Sequence, residues 1–85
     1  MSERYRIELS LPIPHHGGVE SAVRLGDDLC KLISEETGEQ PVDSGAGAGY
    51  RDVAFHTDDP ARILALVQAK LPQDSVVTVT VQESG

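Results

Sequence analysis

The chain has 85 residues, a length that suits one domain with a small core, for which oligomerisation would be a natural supplement. Fourteen acidic residues against seven basic ones leave a formal net charge of −7, the wrong sign for nucleic acid or an anionic membrane surface. Cys30 is the single cysteine, so no internal disulfide forms, and no apolar run reaches membrane-span length.

Met1, Ser2, Glu3 and Arg4 lead into a strand pattern and not into an apolar run. The expectation is therefore no signal peptide and a cytoplasmic address. Tyr5, Ile7, Leu9, Leu11 and Ile13 alternate with Arg6, Glu8, Ser10 and Pro12, the period of a half-buried strand. Pro12 and Pro14 end it, since neither donates to a ladder. Residues 14–18 read Pro-His-His-Gly-Gly and are expected to form a loop.

A helix is predicted over 19–37. Ala22, Leu25, Gly26, Leu29, Leu32 and Ile33 share one face, flanked by Val19, Val23 and Cys30, while Glu20, Arg24, Asp27, Asp28, Lys31 and Glu35 lie opposite. Gly26 in the apolar arc permits close approach to a sheet, and Gly38 is a stop signal. Residues 39–43 are expected to form a short edge strand containing Pro41, with Val42 pointing inward. The stretch SGAGAG at 44–49 then becomes a hairpin loop leading into a strand at 51–57, marked by Val53 and Phe55. Thr57, Asp58, Asp59 and Pro60 open a second helix expected over 60–71, with Ile63, Leu64, Val67 and Leu71 on its apolar face and Pro72 ending it. The last strand is read at 76–82, with Val77, Val79 and Val81 on one face and Thr78 and Thr80 on the other.

This order, strand–helix–strand–strand–helix–strand, predicts a single α+β domain over 1–85. The expected class is split βαβ, or ferredoxin-like: a four-stranded antiparallel sheet with two helices on one face. The alternative without the second strand would be βαβαβ with a parallel sheet; it would need a long structureless connection in a very small domain. The predicted topology puts residues 14–18, the glycine-rich stretch and residues 71–75 at one end. It puts His56, Asp58 and Asp59 at the other, so the three histidines do not meet on one metal, and no Cys/His spacing suits zinc. No metal and no cofactor are expected.

Two sets of residues offer binding chemistry. His15, His16, Gly17 and Gly18 at a helix start, with Gly45, Gly47, Gly49, Tyr50 and Arg51 across from them, suit a small anion or metabolite held by free N–H groups and a mobile flap. The plainer reading is two exposed loops whose glycines serve backbone freedom. The glycine stretch is not a phosphate cradle: it opens a strand, and it lacks the Lys-Ser/Thr ending. A silk-like strand is disfavoured, because glycine weakens strands.

The second set is the outer sheet face, with Arg6, Glu8, Asp52, His56, Thr78 and Thr80. It is either solvated or paired with another protein, including a second copy packed sheet to sheet. Bases are excluded from this face, since Tyr50 is its sole aromatic and the carboxylates repel phosphate. Asp27-Asp28 and Glu35-Glu36 form a solvated acidic helix face or a docking surface for a basic partner, and Asp58-Asp59 caps a helix. His56 and Asp58 have no nucleophile beside them, and Cys30 reads as an inert thiol. The expected function is a non-enzymatic protein-binding module, homodimeric through the sheet or of the inhibitor or immunity kind. The alternative is a sensor or regulatory domain for a small anion or metabolite.

Overall fold

In the computed structural model, which describes residues 4–13, 19–47 and 49–82, the first alternating stretch forms the strand β1 (Arg4–Pro12). Ile7, Leu9 and Leu11 on one of its faces are fully buried. The helix α1 (Val19–Thr37) follows, with the bounds that its apolar periodicity implies. From Glu20 onward Ala22, Gly26, Leu29 and Ile33 are buried, with Leu25, Cys30 and Leu32 half-buried beside them. Gly38 stops it at a φ of 78° and donates its N–H to the Ser34 carbonyl at 2.9 Å, the left-handed ending that glycine adopts without strain. Thr37 Oγ1 fastens the same turn, donating to Ile33 O at 2.7 Å and accepting from Glu39 N at 3.1 Å.

The next segment differs from expectation. The strand β2 is Pro41–Gly47, so Ser44, Gly45, Ala46 and Gly47 belong to a strand and not to a loop. They pair in order with Val53, Asp52, Arg51 and Tyr50 of the strand β3 (Tyr50–Thr57). Glycine loses more backbone entropy than other residues on joining a strand. Here β3 supplies a complete partner ladder, which local propensity does not reveal. The register slips between Pro41 and Asp43, a bulge at Val42. Val42 is 48% exposed and so is not the inward anchor expected of it.

Asp59 caps the second helix, α2 (Pro60–Val67), through its side chain to the Arg62 N–H at 3.2 Å, with Pro60 at the first position. The helix ends at Val67 and not at 71, giving way to a single 3-10 turn, Gln68–Lys70. Leu71 is extended, at φ −74° and ψ 128°, as its position before Pro72 demands. The strand β4 (Val76–Gln82) completes the chain as read from its Val/Thr alternation.

The result is an α+β fold, a four-stranded antiparallel sheet with two helices, in the strand order β2-β3-β1-β4. Register explains where the core sits. Ile7 lies between Phe55 and Val79, and Leu9 between Val53 and Val77. Ile7, Leu9, Val53 and Phe55 pack with Leu29 and Ile33 of α1 and Ile63 and Val67 of α2 in one buried cluster. Burial falls away toward the edges. Val79 and Val81 on the same face of β4 are 48% and 52% exposed, and every residue of β2 is exposed. The helix layer thus covers the two inner strands, meets β4 at the half-buried Val77 and leaves the rest of both edge strands open.

The ends sort as the topology requires. Ile13 donates its N–H to Gly49 O at 2.8 Å, Pro12 lies opposite Tyr50, and Ser10 lies opposite Val76. At the other end Tyr5 lies opposite Thr57, and Arg4 Nη1 reaches Asp58 Oδ1 at 3.3 Å. Among the described residues no helix is long and apolar enough to cross a membrane.

Candidate functional site

The sheet face away from the helices is a grid whose rows are set by register. One row runs Thr78, Glu8, Ala54, Asp43 from β4 to β2; the row beside it runs Val76, Ser10, Asp52, Gly45; Thr80, Arg6 and His56 form the row on its other side. Arg6, Glu8, Asp52, His56, Thr78 and Thr80 are therefore brought onto one surface. Arg6 spans β3 to reach Asp43 Oδ2 on β2 at 3.2 Å, and lies 3.5 Å from Glu8 Oε2 on its own strand. The small Ala54 side chain leaves that path open, and Ala54 is itself fully buried beneath its neighbours. Such exposed pairs add little stability; their effect here is to occupy the cation.

Glu8, Asp43 and Asp52, with Gly45 and Ala54 as floor, line a pit of about 100 Å³ on this face. A Cβ added at Gly45 would meet no atom within 4 Å. One guanidinium among three carboxylates leaves the surface acidic. Chemically it suits a partner's Lys or Arg head, with Thr78 and Thr80 alongside as hydroxyl donors or acceptors.

The described part of the other expected set lies along the β2–β3 hairpin. Gly45 and Gly47 are in β2, and Gly49, at φ 85°, lies between β2 and β3. Tyr50 opens β3 half-buried on the outer face. Arg51 lies on the helix face with its side chain only 12% exposed. Its stem packs under α1 at Gly26, where an added Cβ would come within 3.4 Å of Arg51 Nε. Its Nη1 donates to Asp52 O at 2.9 Å and Gly45 O at 3.4 Å, and Nη2 lies 3.7 Å from Asp27 Oδ1. The close approach foreseen for Gly26 is thus to this side chain. His15, His16, Gly17 and Gly18 lie outside the described residues.

At that end of the sheet an apolar cleft of about 570 Å³ is lined by Pro12, Ile13, Ala22, Leu25 and Pro72, with Asp74 at its edge. Burial pushes the Cys30 thiol above its ordinary pKa; the Arg51 guanidinium pulls it down and Asp27 pushes it up. A raised thiol pKa leaves less thiolate, the reactive form. Among the described residues no group of three or more His, Cys, Asp or Glu is placed to hold a metal ion. Asp43 is the site residue that sequence reasoning left off this face; cross-strand register, and no local motif, is what joins it to Glu8.

No family model, curated protein or solved structure matches the chain.

Proposed function

We propose that this chain is a non-enzymatic, cytoplasmic protein-binding module that docks a basic partner on its outer sheet face, as an inhibitor or immunity-type protein does. The observation that carries this reading is the acidic pit of Glu8, Asp43 and Asp52, on a face no helix covers, with Arg6 already engaged by two of those carboxylates. The strand order β2-β3-β1-β4 with alternating helices supports a ferredoxin-like plait as the scaffold. That scaffold hosts many functions, so the site carries the proposal and not the fold. A small-anion site has weaker support. Arg51 is turned to the helix side, and the apolar cleft carries Asp74, of the repelling sign.

The test is amide chemical-shift mapping with a short Lys/Arg-rich peptide. Shifts at Glu8, Asp43, Asp52 and Ala54 are expected, fading at high salt because exposed charges are screened. The double variant Asp43→Asn/Asp52→Asn should weaken the interaction about tenfold or more. Shifts confined to Asp27, Asp28 and Glu35 on α1, or no shifts at all, would overturn the proposal.

A further inference from the structure

The sheet's two edges are built differently. β2 carries Pro41, the bulge at Val42, the charge of Asp43 and two glycines. Proline, bulges and charge are devices that keep an edge strand from pairing with another chain. β4 has none of them. Its seven residues, VVTVTVQ, hold no charge, no proline and no glycine, and its register with β1 runs unbroken from Arg4↔Gln82 to Ser10↔Val76. Valine and threonine are strong strand formers. Val76, Val79 and Val81 are each about half exposed, at 48%, 48% and 52%.

The strand is also palindromic. About Val79, the flanking residues are Thr78 and Thr80, then Val77 and Val81. We infer that β4 pairs antiparallel with β4 of a second copy of this chain, about a twofold axis through Val79, extending the sheet to eight strands. Centred there, Val79 faces the partner's Val79, Thr78 faces the partner's Thr80, and Val77 faces the partner's Val81. The five central positions, Val77 to Val81, meet like with like, valines on the helix side and threonines on the outer side, and only the end pair, Val76 with Gln82, is unlike. Such a closed, self-complementary contact is what a twofold dimer requires. Cross-strand pairs of β-branched residues and Thr–Thr pairs are favourable units of sheet pairing. Charge points the same way. Two copies, each at −7, repel over most of their surface but meet at β4 across an uncharged strand. The outer face stays open in such a dimer, so this inference stands apart from the basic-partner reading.

Sedimentation equilibrium tests it. The wild-type chain should approach twice its 9.1 kDa mass as concentration rises. Val79→Lys sets two like charges against each other at the axis and should weaken association at least tenfold. Val42→Lys, on the opposite edge, should leave it unchanged. In a Cys30→Ser background, Val79→Cys should form an intermolecular disulfide on mild oxidation and Val42→Cys should not, a readout that does not depend on Val79→Lys folding. A wild-type mass that stays at one chain up to millimolar concentration would overturn the inference. So would a folded Val79→Lys chain that associates as wild type does, or cross-linking at position 42 as efficient as at 79.

Discussion

Phe55→Ala is expected to leave the chain only marginally folded in water at room temperature. Phe55 is the single phenylalanine, it is fully buried, and it sits on β3 opposite Ile7 in the cluster that both helices cover. Truncating such a side chain removes its transfer free energy and leaves a cavity, together costing about 3–5 kcal/mol. A domain this short has a total stability on the order of 5 kcal/mol, so one such loss consumes most of it. The core is centred on two strands, because β2 adds no buried residue and β4 adds only the half-buried Val77, and it has little else to fall back on. Urea unfolding followed by circular dichroism measures the effect. A loss below about 1 kcal/mol would mean that Phe55 is not at the centre of the packing.

Arg51→Ala is expected to cost about 2 kcal/mol and to loosen β2 before the rest of the sheet. The side chain is a strut between α1 and the sheet edge. Its stem fills the space that Gly26 leaves, and its guanidinium donates to the carbonyls of Asp52 and Gly45. The Asp27 contribution is small, since that carboxylate is 68% exposed. Arg51→Met keeps much of the stem and loses the N–H donors, so it should recover part of the loss. Hydrogen exchange at Gly45 and Ala46 is the readout. Equal loosening of β1 and β2, or full recovery by methionine, would refute the strut.

α1 and β4 were legible in the sequence because their signals are local. An unbroken apolar arc ending in Gly38 marks the first, and strict Val/Thr alternation marks the second. β2 was not legible. Ser44, Gly45, Ala46 and Gly47 have no apolar period, and only pairing with β3 makes them a strand. Periodicity also says which face Val79 and Val81 occupy but not whether a helix lies above them; α2 ends at Val67, and they stay half exposed.

The outer face was readable for the same reason as the strands: alternation puts Arg6, Glu8, Asp52 and His56 on one side. The pit was not, because joining Asp43 to Glu8 over Ala54 depends on three-strand register. Arg51 shares a face with Val53 by the same alternation, which sends it toward α1 and away from any grip on a ligand at the hairpin end.

That two copies of this chain pair along β4 is tested most directly by amide hydrogen exchange of the wild-type protein in dilute and in concentrated solution. Edge pairing predicts that protection within Val76–Gln82 climbs with concentration while Pro41–Gly47 and the helices keep theirs. Protection of β4 that is the same at both concentrations, or a rise confined to the acidic face of α1, would contradict it.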